Sequence, residues 1–197
     1  RLMRGLDADD FDPATVPGAM YAVDGRVVKN DAAKSPDMND VPVPDFSALG
    51  LDDYLFPRSS MTLPVQLSRG CRWRRCAFCR TNLPMIHEYQ SFPPEKAYGI
   101  LCGLFEQTGI RRFSFTDDEA SPAMLETLSK IMIRDGAPFS WTASTRFSPK
   151  LTVERAEVYR KAGCSLISLG METASDRLLR LMNKGTSLSL IERVLEN

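Results

Sequence analysis

From Leu63 onward the sequence alternates short apolar runs with longer helical periods, four times over, with no hairpin signal between them. The apolar runs are 63–68, 112–116, 139–144 and 165–170. After the first, Ala97, Ile100, Leu101, Leu104 and Phe105 fall at helical spacing behind Pro93-Pro94, where proline suits a first turn. Leu125, Leu128, Ile131 and Met132 do the same behind Ser121-Pro122. Thr152 then caps a helix ending at Gly163, and Ser175 caps one over 176–183 that closes at Gly185. Such alternation dictates parallel strands joined by right-handed crossovers, an α/β fold. An open doubly wound sheet and a barrel both satisfy it, and both place their sites at the carboxyl ends of the strands. The segments to inspect are therefore 68–79, 116–119, 144–146 and 170–172.

The first 60 residues have another texture, rich in Pro, Asp and Gly, with eleven Asp against six basic residues. Residues 19–23 and 26–28 read as two short strands joined by Asp24-Gly25, a dipeptide that supplies positive φ at a hairpin turn. Across 29–60, Pro36, Pro42, Pro44 and Pro57 keep their predecessors out of helix, so an extended linker crossing a surface is expected. No methionine opens the chain at Arg1, and an amphipathic run that begins near Ser189 is still open at Asn197, so a piece of a longer protein is expected.

At 197 residues, 43% hydrophobic and 25% charged, the chain can bury a core and is not a disordered type. Its apolar stretches fall far short of the roughly 20 residues a membrane span needs, and no signal peptide is visible. Lys+Arg and Asp+Glu balance at 25 each, so nothing global argues for nucleic acid or a membrane as partner. The five cysteines are odd in number and three crowd into 71–79, which suits a reducing, cytoplasmic setting better than a disulfide framework.

Those three are Cys71, Cys76 and Cys79, in a 68–80 segment that holds five arginines and no acid. Cations favour thiolates, the form that binds metal, and make poor company for cysteines buried as small hydrophobes. A structural zinc site wants four ligands, and the remaining candidates, Cys102, Cys164 and His87, lie on a helix, a strand start and a loop. A zinc-stabilised nucleic-acid-binding module, contacting RNA through Arg72-Trp73-Arg74-Arg75, stays open as an alternative. An iron-sulfur cluster held by three thiolates, with one iron open to an outside ligand, fits the triplet better.

A Ser-Arg-Gly-Cys loop after the first strand, ending Cys76-Ala77-Phe78-Cys79, resembles the radical S-adenosylmethionine (radical SAM) superfamily. Phe113–Glu119, Trp141–Arg146 and Ile167–Asp176 followed by Leu181–Thr186 are similar to the ends of that family's second, third and fourth strands. The resemblance covers roughly 63–197, with one departure: the family's usual Cys-x3-Cys-x2-Cys is here Cys-x4-Cys-x2-Cys. Pro17–Tyr21, Asp24–Val28, Pro42–Phe46 and Asp52–Leu55 are, in that order, similar to the connector between a cobalamin-binding domain and such a barrel. The cobalamin ligand motif Asp-x-His-x-x-Gly is absent, and His87, the lone histidine, reads as an ordinary loop residue.

The resemblance implies a partial TIM-type (β/α) barrel, with 61–197 its N-terminal part after about four β-α units and 1–60 the tail of a cobalamin-binding-like domain plus linker. It implies a [4Fe-4S] cluster on Cys71, Cys76 and Cys79, with S-adenosylmethionine chelating the open iron and split reductively to a 5′-deoxyadenosyl radical. Phe78 would flank the adenine, and Asp117, Asp118 and Glu119 lie where the cofactor's ammonium group would sit. Arg146 would meet its carboxylate, and Glu172 its ribose hydroxyls or ammonium group. The expected enzyme is a cobalamin-dependent methyltransferase or rearrangement enzyme, or else a cobalamin-independent member. Any cobalamin would bind outside these residues, and an electron donor such as flavodoxin or ferredoxin is the expected partner. The substrate, a small molecule or peptide, is not readable.

Overall fold

The structure, a computed structural model, describes residues 11–32, 36–79 and 88–196, and the chain falls into two compact units, Arg1–Pro36 and Asp37–Asn197. In the first unit β1 (Met20–Val23) and β2 (Arg26–Lys29) pair antiparallel, Met20 opposite Lys29. Asp24 and Gly25 turn the corner with φ of 49° and 74°, the left-handed pair that a two-residue hairpin requires. The Asn30 side-chain amide then donates to the carbonyl oxygens of Pro13, Ala14 and Val16, which ties the hairpin's end to a 3-10 turn, Pro13–Thr15.

The second unit is built on four parallel strands in sequential order: β3 (Leu63–Val65), β6 (Arg112–Phe115), β7 (Ser140–Thr145) and β8 (Cys164–Leu169). A short antiparallel ribbon, β4 (Ser68–Arg69) with β5 (Gln90–Ser91), follows the first strand. The crossovers carry α1 (Pro94–Thr108), α2 (Pro122–Arg134) and α3 (Val153–Lys161), and α4 (Asp176–Leu181) and α5 (Leu188–Leu195) follow β8. The caps lie where the sequence puts them: the Ser121, Thr152 and Ser175 hydroxyls accept from the backbone N–H of Met124, Arg155 and Leu178.

Strand alternation gives the sheet two unlike faces. Phe113, Phe115, Trp141 and Ala143 are buried under the helices, with the Phe115 and Trp141 rings stacked at 5.2 Å. Two buried polar atoms there are satisfied by backbone: Trp141 Nε1 donates to the Ala162 carbonyl at 2.9 Å, and the Tyr159 hydroxyl to that of Pro122 at 2.7 Å. On the other face Ser114, Thr142, Ser144 and Ser168 leave a small-residue polar surface, with Ser144 and Ser168 opposite each other.

Two expectations shift. The first strand stops at Val65 rather than 68, because the backbone N–H groups of Leu67 and Ser68 turn away to the Asp117 carboxylate. Residues 37–60 are not a plain surface linker, and the structure groups them with the barrel rather than with 1–36. Met38 and Leu51, each on a 3-10 turn, are buried in the barrel's core, and the Phe46 N–H donates to Gln107 Oε1 at 2.7 Å. Among the described residues no helix is long and apolar enough to cross a membrane.

Candidate active site

The three-cysteine loop leaves β4 through Gly70, whose φ of 81° lets the chain reverse. One wall of the loop is the acidic run after β6, and each of its carboxylates accepts from backbone. Asp117 Oδ1 takes Leu67 N–H at 2.8 Å and also that of Ser68. Asp118 Oδ2 takes Gly70 N–H at 3.2 Å. Glu119 Oε2 takes Arg72 N–H at 2.8 Å and the Cys71 thiol at 3.0 Å. Consecutive carboxylates thus bind consecutive parts of the strand-to-loop passage. Asp117 and Glu119 are buried, and the role the structure shows for them is this binding. Burial pushes the Asp117 carboxyl up to about 6, against the two N–H groups that pull it down.

The opposite wall is the turn after α4. Met182 O accepts from Ala77 N–H at 2.9 Å, and Asn183 O from the Trp73 indole N–H at 2.7 Å. The Arg146 guanidinium joins this turn to the cysteine loop: Nη2 donates to Lys184 O, Nη1 lies 3.5 Å from Cys76 Sγ, and Cζ lies over the Trp73 ring at 5.1 Å.

Between these walls, at the carboxyl end of the sheet, lies a cavity of about 350 Å³. Cys71, Cys76, Cys79, Asp118, Arg146 and Glu172 all line it, as does Phe78, though they come from four separate strand ends. Asp117 and Glu119 do not. Parallel strands share a carboxyl end, which is why residues so distant in sequence meet here.

Among the lining residues given no role from sequence, the charged and buried one is Lys184, with Nζ 2.7 Å from Glu172 Oε1 and 5.5 Å from the Phe78 ring centre. Glu172 holds a φ of 65°, a strained conformation for a residue with a side chain, and Lys184 is the polar partner its carboxylate needs. The signal available in sequence was its place in the Leu181–Thr186 run that resembles the end of the family's fourth strand.

All five cysteines are thiols. Cys164 opens β8 at the sheet's amino end, away from the cavity, and Cys102 sits on α1 against the core. His87 and Arg80 lie outside the described residues. Burial pushes the Cys71 thiol up and the neighbouring Glu119 adds to this, while backbone N–H groups of Arg74 and Trp73 act against it. Among the described residues no group of three or more His, Cys, Asp or Glu is placed to hold a metal ion. The fit of an iron-sulfur cluster therefore rests on donor chemistry: three soft thiol ligands from one nine-residue loop open on a shared cavity wide enough for more than a single ion.

Comparison with known proteins agrees with this architecture. The chain is 27% identical over 175 residues to an uncharacterized methyltransferase of Pyrococcus horikoshii, a match covering 85% of the chain and 37% of that relative. It superposes with a TM-score of 0.75 on the cobalamin-dependent S-adenosylmethionine radical enzyme OxsB, at 21% identity over 96% of the chain and 28% of OxsB. It superposes equally, at 0.75, on TsrM from Kitasatospora setae, a radical S-adenosylmethionine methyltransferase solved with tryptophan and a SAM analogue bound, at 20% identity over 99% of the chain and 40% of TsrM. These two likenesses establish a shared fold, a partial radical-SAM-type barrel of parallel strands. The chain spans little more than a third of the length of the first curated relatives it matches. The family model described as the Radical SAM superfamily matches residues 65–197, and the chain belongs to that superfamily.

Proposed function

We propose that residues 61–197 form the cluster-bearing part of a cobalamin-dependent radical SAM methyltransferase or rearrangement enzyme, and that 1–60 lead into it from a cobalamin-binding-like domain. The observation that carries this reading is the convergence of three cysteines with Asp118, Glu172 and Lys184 on one cavity at the strand ends. The cobalamin assignment is supported by the likeness to OxsB, itself cobalamin-dependent, and to methyltransferases.

In this reading Cys71, Cys76 and Cys79 hold a [4Fe-4S] cluster. The cluster would supply an open iron for S-adenosylmethionine to chelate and the electron for its reductive cleavage to methionine and a 5′-deoxyadenosyl radical. The chain's own side chains bind and orient the cofactor. The Lys184 ammonium and the Glu172 carboxylate, already paired at 2.7 Å, present opposite charges to a zwitterionic amino acid group, which could insert between them. Asp118, exposed at the cavity wall, offers a second acceptor for an ammonium group. Phe78, half-exposed beside Lys184, provides a flat apolar face for a nucleobase. The polar serines of the inner sheet face admit a ribose without burying an unpaired hydroxyl. An acidic one-electron donor, a flavodoxin or ferredoxin, suits the arginine-rich loop.

The test is metal analysis of the full-length protein after anaerobic reconstitution. We expect about four iron and four sulfide per chain, and loss of both in Cys79→Ala. Stoichiometric zinc without iron would overturn the radical reading. Iron uptake with no cobalamin bound would keep the radical enzyme and remove the cobalamin.

A further inference from the structure

The Cys-x4-Cys spacing places one extra residue between Cys71 and Cys76, and the structure shows what the wider loop does. Arg74 takes the left-handed φ of 47°, and the loop swings Trp73 out toward the turn after α4. There the indole N–H is fixed to Asn183 O at 2.7 Å, and two guanidinium groups lie over its ring, Arg75 at 5.3 Å and Arg146 at 5.1 Å. Gly185, with φ of 72°, backs the ring so closely that a Cβ there would overlap it. The ring thus packs against both Gly185 and Arg146.

Arg146 in turn has its fork fixed at both ends, Nη2 on Lys184 O and Nη1 at 3.5 Å from Cys76 Sγ. A planar guanidinium hydrogen-bonded at both ends and set over an indole is held in orientation as well as in place, which a flexible ammonium would not be.

We propose that Trp73 is a positioning residue that holds the Arg146 guanidinium against the Cys76 sulfur, and that the pair raises the reduction potential of the cluster bound there. This rests on the cluster reading above. Reduction adds negative charge to the cluster and its thiolates, and a cation hydrogen-bonded to one sulfur stabilises the reduced form more than the oxidised one. The potential, and not only the presence of the cluster, is then written into residues 73, 146 and 185.

The experiment is an EPR-monitored redox titration of the full-length protein, anaerobically reconstituted and free of S-adenosylmethionine, with iron counted for each variant. Arg146→Gln is expected to keep its iron and to be at least tenfold harder to reduce, 59 mV for a one-electron couple. Trp73→Leu and Gly185→Ala, which release the guanidinium without altering it, shift the potential the same way by less. Trp73→Phe keeps a ring under the guanidinium and stays closest to wild type. An unshifted potential in iron-loaded Arg146→Gln and Trp73→Leu overturns the proposal and leaves the cluster reading standing. If Arg146→Gln sheds its iron, an unshifted potential in Trp73→Leu and Gly185→Ala overturns it. Wild-type protein that takes up no iron overturns the cluster reading itself.

Discussion

The acidic run after β6 and the lone glutamate after β8 look alike in sequence, carboxylates at the carboxyl end of a parallel strand, yet the structure uses them differently. Asp117 and Glu119 are buried and bind backbone N–H groups of 67, 68 and 72. Glu172 is 38% exposed on its side chain, faces the cavity and is paired with a lysine. What separates them is the company of the strand end. β6 is an interior strand beside β3, whose chain ends early and leaves N–H groups that need acceptors. β8 has no strand of the described residues on its far side, so its end opens on space. The first group builds the loop, and the second faces what enters.

The difference predicts opposite outcomes for removal. Asp117→Ala orphans two buried N–H donors, and we expect a loss of about 2–5 kcal/mol in unfolding free energy, read by urea denaturation. Glu172→Ala should cost less, about 1 kcal/mol of stability, since the carboxylate it removes is itself part-exposed at a cavity. Its larger effect should fall on affinity for S-adenosylmethionine, about 1.5–3 kcal/mol by calorimetry with iron content unchanged. A Glu172→Ala protein less stable than Asp117→Ala, or one with unaltered affinity, breaks the comparison.

A pH series sharpens it further. Both N–H groups bind Oδ1 of Asp117, so Oδ2 can carry a proton, and burial raises the carboxyl to about 6 from 3.8. The folded state therefore binds this proton more tightly than the unfolded chain. Its contribution is fully present below about pH 4, declines as pH rises through about 6 and is constant above. Asp117→Asn keeps the Oδ1 acceptor and cannot ionise. Relative to that variant, wild type should lose on the order of 1–3 kcal/mol between pH 4 and pH 7. A difference that does not change with pH would show that the carboxylate is already ionised at pH 4.

Much of the architecture was legible because it depends on local rules. The four strands follow from short apolar runs, the helix starts from Ser121, Thr152 and Ser175, and the hairpin from Asp24-Gly25. The cysteine triplet was legible for the same reason, since its members lie within nine residues. The job of each carboxylate was not, because it is decided by partners 47 to 50 residues away, and no spacing rule reaches that far. Lys184 was missed on similar grounds: its partner, Glu172, lies twelve residues back across a helix, and only the turn after α4 brings the two together. The docking of 37–60 was also hidden, since prolines announce an extended chain but not that Met38 and Leu51 will be buried by the barrel.

Asp118 stands between the two groups and gives the smallest and most discriminating effect. It belongs to the acidic run by sequence, yet it is exposed, lines the cavity and holds Gly70 N–H only at 3.2 Å. A long bond from an exposed acceptor can be replaced by water, so Asp118→Ala should change unfolding free energy by no more than about 0.5 kcal/mol. If the strand-end environment, rather than membership of the run, decides each residue's use, Asp118 should behave like Glu172. Its loss should weaken S-adenosylmethionine binding by a factor that Asp118→Asn, unable to offer charge, does not restore. Destabilisation on the scale of Asp117→Ala, with cofactor affinity intact, would instead place Asp118 with its neighbours as a third support of the cysteine loop.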